Sequence, residues 1–111
     1  MTAPNGFLRV DRAFVQGDKW QALSLGARCA LLHIWAKFDG YNNADLRCGL
    51  SELQDALNCH RASAIRWLKE LQDSGLLEAA ERGGFRYRNG AREKRVTAWR
   101  LTIVKNLSRQ K

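Results

Sequence analysis

Between Leu50 and Leu77 two apolar helical patterns stand only a few residues apart. The first carries Leu53, Ala56 and Leu57, and Ser51 with Gln54 has the S-x-x-Q form of a capping box that opens a helix. The second runs from Arg61 to Ser74 with Ala64, Leu68 and Leu71 in register, and Gly75 suits a helix C-cap. The polar break Asn58-Cys59-His60-Arg61 is too brief for anything but a turn. It would present the second helix to the outside while one of its sides stays packed.

At about 100° per residue, Ala64, Trp67, Leu68 and Leu71 share the packed side of that helix. Ala62, Arg66, Lys69 and Asp73 share the opposite side, with Arg61, Ser63 and Ile65 on its borders. Glu70 and Asp73, each four residues after a basic residue, read as helix-surface partners of Arg66 and Lys69.

Charge is distributed as unevenly as hydropathy. Residues 1–81 hold nine Lys/Arg and ten Asp/Glu, whereas residues 82–111 hold ten Lys/Arg and a single acid, Glu93. The whole net charge of +8 therefore comes from the last part of the chain, which points to an anionic partner docking at one end. There, 76–81 reads as a strand, 82–84 as a turn, and 85–95 as a basic hairpin with a turn at Asn89-Gly90. Residues 96–104 form the clearest strand, with Trp99, Leu101 and Ile103 on one face and Ala98, Arg100 and Thr102 on the other.

Upstream, Ser24 is an N-cap candidate and Gly40 a stop for a helix whose stripe is Ala27, Leu31, Ile34, Trp35 and Phe38. Its other side, Cys29, Leu32, His33 and Ala36, is only weakly polar, so a second cover is expected, either the N-terminal segment or another subunit. Residues 1–6 read as disordered, 7–15 as extended or irregular with Phe7, Leu8, Val10, Phe14 and Val15 as packing residues, 40–45 as a loop and 46–50 as a short strand. The divisions are an N-terminal extension (1–19), one domain (20–104) and a basic C-terminal tail (105–111).

Cys29, Cys48 and Cys59 lie 19 and 11 positions apart, which matches neither a C-x-x-C site nor a disulfide framework. Reduced thiols in a cytoplasmic protein are the expectation. The two histidines are widely separated, and His33 has no ligand partners placed beside it by the sequence, so no metal site and no cofactor is expected. No stretch reaches the roughly 18 apolar residues of a membrane span. No acid/base carboxylate pair, nucleophile–base pair or phosphate-binding glycine loop stands out, and the chain is not expected to be an enzyme.

The order helix, short strand, helix, turn, helix, strand, basic loop, strand resembles a winged helix-turn-helix DNA-binding protein. The likeness is sharpest in "LSELQDALNCHRASAIRWLKELQDSGLLE", at Ser51, Leu53, Leu57, Arg61, Ser63, Arg66, Leu68, Leu71, Gly75 and Leu77. Over roughly residues 20–103 the chain also resembles small winged-helix proteins of phages, plasmids and integrative elements. The shared features are Leu23, Ser24, Ala27 and Arg28, the loop Tyr41, Asn42, Asn43 and Asp45, and Trp99, Arg100, Leu101 and Thr102. The sequence departs from that pattern at Asn58, where glycine is common, at His60, a poorer cap than serine or threonine, and at Ile65, where a polar residue is common.

The resemblance implies an α+β fold with a three-helix core and a small antiparallel β-wing. It implies a sequence-specific double-stranded DNA-binding protein, such as a transcriptional regulator, acting as a homodimer. Alternatives are a replication or excision accessory protein of a mobile element, and a winged helix used to bind a protein partner. The DNA-contacting residues would be His60, Arg61, Ala62, Ser63, Ile65, Arg66 and Lys69 from the helix, which suits the major groove. Arg82, Arg86, Arg88, Arg92, Lys94 and Arg95 would grip the backbone or minor groove from the wing.

Overall fold

A computed structural model describes residues 6–88 and 91–107, without the side chains of 85–88 and 91–94. The fold is α+β. Among the described residues the order is α1 (Arg12–Gln16), α2 (Asp18–Gln21), α3 (Leu25–Trp35), β1 (Leu46–Arg47), α4 (Leu50–Leu57), α5 (Arg61–Asp73), β2 (Leu77–Glu81), β3 (Gly84–Arg88), β4 (Ala91–Arg95) and β5 (Ala98–Leu101). An antiparallel sheet in the order β1-β5-β2 closes the core, and β3 and β4 pair separately as a two-stranded antiparallel ribbon. No helix among the described residues is long and apolar enough to cross a membrane.

The core is aliphatic with two indoles. Ala27, Leu31 and Ile34 from α3, Leu53 from α4, Ala64 and Leu71 from α5, and Leu46, Leu77 and Leu101 from the sheet are essentially sealed from solvent. Trp35 and Trp99 are buried beside them, as their place in apolar stripes suggested. Ala98 is buried as well, so the face of β5 opposite Trp99 and Leu101 is covered at its first residue.

Ser24 caps α3, its Oγ accepting the Ala27 N–H at 3.3 Å. That cap is reinforced from α5. Glu70 Oε1 accepts the Ser24 hydroxyl and Oε2 its backbone N–H, both at 2.7 Å. Glu70 is thus a tie between helices rather than the surface partner of Arg66, whereas Lys69 and Asp73 do pair at 3.1 Å.

Several boundaries differ from expectation, each for a local reason. Helix α3 ends at Trp35, before Gly40, because the chain tightens into successive short turns, and Asn42 and Asp39 then fold it back. The short strand is confined to Leu46–Arg47, and α4 begins at Leu50 with Gly49 as N-cap, so Ser51 lies inside the helix and forms no capping box. A Cβ on Gly49 would stand 2.9 Å from Val96 Cγ1, so a glycine lets the chain leave the sheet there and enter the helix at once. Ala56, expected on the packed stripe, is exposed.

Residues 12–15, expected to be extended or irregular, lie in the helix α1, and α2 follows it after a single glycine. Asp11 caps the first by accepting the Ala13 N–H at 3.0 Å. Phe14 then packs edge-on against both Trp20 and Trp35, each at 5.8 Å between ring centres, while Phe7, expected to pack, is 81% exposed. The N-terminal segment therefore covers the Trp35 end of α3, but Leu25, Cys29 and Ala36 remain exposed. The expected turn at Asn89-Gly90 and residues 1–5 of the start expected to be disordered over 1–6 lie outside the described residues.

Candidate nucleic-acid interface

The turn between α4 and α5 is set by Asn58, which adopts left-handed backbone angles (φ 50°, ψ 55°) while its N–H bonds Gln54 O. Asparagine tolerates that conformation better than most residues. His60 then occupies the N-cap of α5 in extended geometry but makes no side-chain cap bond. The positive end of the helix dipole is therefore left without a side-chain capping acceptor from His60.

From there α5 exposes Arg61, Ala62, Ile65, Arg66, Lys69 and Asp73. At about 100° per residue these six fall in a single arc of roughly 140°. Ile65 is 47% exposed on this arc. Ser63 is half-buried at its border, and His60 is exposed at its start. Arg66 has no ion pair or hydrogen bond among the described residues, whereas Lys69 shares its charge with Asp73. The other side of the helix buries Ala64, Leu68 and Leu71 against α3 and α4, which fixes the arc's direction.

The ribbon leaves the body beside this arc. Its root is held by the Gly83 N–H donating to Thr97 Oγ1 at 3.0 Å and by Arg95 Nε at 3.5 Å from Glu81 Oε1. Arg47 reaches the same Glu81 at 3.3 Å and also donates to Val96 O at 3.0 Å. Arg95 is thus a half-buried strut at the root, while Arg82 is exposed. The side chains of Arg86, Arg88, Arg92 and Lys94 lie outside the described residues; their backbones occupy the two paired strands, with Arg86 opposite Glu93 and Tyr87 opposite Arg92.

Between helix and ribbon root lies a cleft of about 400 Å³. Arg61, Arg95, Gly83 and the first turn of α4 line it. The fold thus brings Arg61 together with Arg95, but leaves Arg66 and Lys69 out of the cleft. Ile65 and Lys69 line a second hollow against Trp99 and Leu50. Neither the role of the α4 N-terminus nor the Gly49–Val96 approach was readable from the sequence, where Ser51 was the stronger cap signal.

No family model, curated protein or solved structure matches this chain.

A second grouping, which shares Glu52 with the cleft and Cys48 with the second hollow, also escaped the sequence. His33 from α3, Cys48 just after β1 and Glu52 from α4 place an imidazole nitrogen, a sulfur and a carboxylate oxygen all within 4.8 Å of one another. His33 Nε2 lies 2.7 Å and Lys37 Nζ 2.6 Å from Glu52 Oε2. Burial alone would push the Glu52 carboxyl up, but the Lys37 and His33 hydrogen bonds outweigh it and hold the carboxyl below its ordinary range. Burial, followed by the Glu52 charge, pushes the Cys48 thiol up to about 11. The only sequence trace of this cluster is the one-turn spacing of Cys48 and Glu52.

Proposed function

We propose that this chain is a sequence-specific double-stranded DNA-binding protein with a winged helix-turn-helix fold, acting in transcriptional regulation. In this reading α5 enters the major groove and the β3–β4 ribbon is the wing, laying cations along the flanking backbone. The observation that carries it is the exposed arc of α5 standing beside the root of a ribbon whose sequence is rich in arginine. Arg61, Arg66 and Lys69 lie on the arc, and small Ala62 permits close approach to base edges. The N-terminus of α5 would add its dipole toward a phosphate. One small module reads few base pairs, so a homodimer on an inverted repeat is part of the proposal.

Selection from random duplex DNA at near-physiological salt tests this. An enriched motif is the expected result, with two-fold symmetry for a dimer. Absence of enrichment from the folded protein would overturn sequence-specific reading in favour of a protein-binding or non-specific role. Arg66→Ala should then erode discrimination between bases by about 1–3 kcal/mol if the guanidinium is bidentate to a base. Competition binding against single-base variants of the selected site measures it.

A further inference from the structure

The proposed DNA contact does not use His33, Cys48 or Glu52, although Glu52 lines the cleft with Arg61 and Cys48 lines the hollow with Ile65 and Lys69, and the chemistry of the three differs from that of the arc. Three side chains from three separate segments offer nitrogen, sulfur and oxygen at one point. Each is positioned by the fold. Cys48 is clamped at both backbone groups, its N–H donating to Thr97 O at 3.1 Å and its carbonyl accepting Trp99 Nε1 at 3.0 Å. Its thiol is buried, donating weakly to Gly49 O at 3.7 Å. Glu52 sits in the first turn of α4, and His33 in the last turn of α3.

We propose that His33, Cys48 and Glu52 form a binding site for a thiophilic divalent cation of the zinc type. Imidazole, thiolate and carboxylate are the donors that zinc takes, and three protein ligands leave one tetrahedral position for water. Tetrahedral bonds of zinc length put ligand atoms roughly 3.5 Å apart. Separations of up to 4.8 Å therefore close by about an ångström, and the 2.7 Å contact of His33 Nε2 with Glu52 Oε2 opens by a similar amount. His33 and Glu52 can supply that movement, being 28% and 42% exposed, and the same exposure gives the ion a path from solvent.

In the metal-free protein, protons and the Lys37 ammonium hold the site together. On binding, the S–H bond of Cys48 breaks, its proton goes to solvent, and the sulfur lone pair bonds the metal. The His33 Nε2–H, which donates to Glu52 in the metal-free protein, passes its proton to solvent while Nδ1 takes one up, so that the Nε2 lone pair faces the metal with no net change at the imidazole. Lys37, 32% exposed on its side chain, gives up Glu52 and swings to water. One proton is released per ion from the thiol, so affinity rises with pH. The occupied site would tie α3, the β1–α4 junction and the first turn of α4 together.

The inference stands independently of DNA binding, and its test uses Co²⁺ as the probe, added to reduced full-length protein without DNA. One ion per chain and a near-ultraviolet sulfur-to-cobalt charge-transfer band, displaced by Zn²⁺, are expected. Cys48→Ser should abolish the band, whereas Cys29→Ser with Cys59→Ser should retain it. Because a buried cysteine change can unfold the chain, the partly exposed ligands provide the second line. His33→Gln and Glu52→Gln should each weaken Co²⁺ binding by more than about tenfold, and Lys37→Gln should tighten it by removing the competing cation. No band from the reduced wild type, or a band undiminished in folded Cys48→Ser, would overturn the site.

Discussion

Hydrogen bonds of Asn43 join the loop after α3 to the end of β5 and the segment that follows it. Its Nδ2 donates to Leu101 O at 2.9 Å and Val104 O at 3.1 Å, its Oδ1 accepts the Leu101 N–H at 2.8 Å, and its own N–H donates to Asn106 Oδ1 at 2.7 Å. The Leu101 N–H is part-buried, and Asn43 supplies the acceptor that a further strand would otherwise provide. Asn43→Ala leaves that donor without its partner. We expect a loss of about 1–3 kcal/mol, read from urea unfolding, while Asn42→Ala, whose bonds stay within the turn, should lose less. A paired asparagine in a loop looks in sequence like turn chemistry alone, and its long-range bonds appear only once β5 is in place.

Where helices meet, the limiting contact is Gly26 of α3 against Trp67 of α5. A Cβ at Gly26 would fall 1.8 Å from Trp67 Cε2, far inside any non-bonded distance. Helix propensity by itself favours alanine over glycine by about 1 kcal/mol. Overpacking typically costs about 1–3 kcal/mol, so Gly26→Ala should be net destabilising. In a Trp67→Leu background the clash is relieved and the same change should turn neutral or stabilising. A double-mutant cycle by thermal or urea unfolding gives the sign. A second link, from α3 to α4, runs through Glu52. Its carboxyl is held low in the folded state, so the stability it contributes is present above the ordinary glutamate pKa of about 4.3 and fades as pH falls through the lowered value. In metal-free buffer, Glu52→Gln should flatten the acid limb of the melting temperature against pH and leave the neutral-to-acid difference smaller than in wild type.

The helices α4 and α5, the turn at Asn58 and the stop near Gly75 were legible because periodicity and turn chemistry agree over a long window. Helices α1 and α2 were not, since five and four residues are too few for a periodic signal and only Asp11 marked a start. Of the candidate site, the exposed arc of α5 followed from a helical wheel. The strut role of Arg95 did not, because Glu81, which Arg47 also pairs with, reaches it only through the sheet. The same limit hid Cys48 and Glu52 from His33.

For the molecule as a whole, charge separation makes the next prediction. The acids are spread through residues 1–81, and the uncompensated cations follow residue 81, so an anionic rod should meet one end of the protein. Replacing Arg86 and Arg88 together with alanine should weaken binding to every duplex and flatten the slope of log affinity against log salt. The slope should fall by about 0.9 for each phosphate that the variant no longer neutralises. Fluorescence anisotropy across a salt series measures it, with Arg66→Ala as the contrast that alters base preference. If both changes weakened all sequences alike, helix and ribbon would not divide the labour as proposed.

The ribbon has its own ladder and is not hydrogen-bonded as a strand to the three-stranded sheet. Its aim is consequently governed at the shoulder, where Gly83 meets Thr97 and Arg95 meets Glu81. A Cβ on Gly83 would stand 2.7 Å from Arg95 O and 2.8 Å from Thr97 N, so that joint has no room for a larger residue. An arm jointed in this way can change length or charge at its far end without disturbing the body that carries it. Variants built on the same shoulder would be free to rewrite the tip without redirecting the arm.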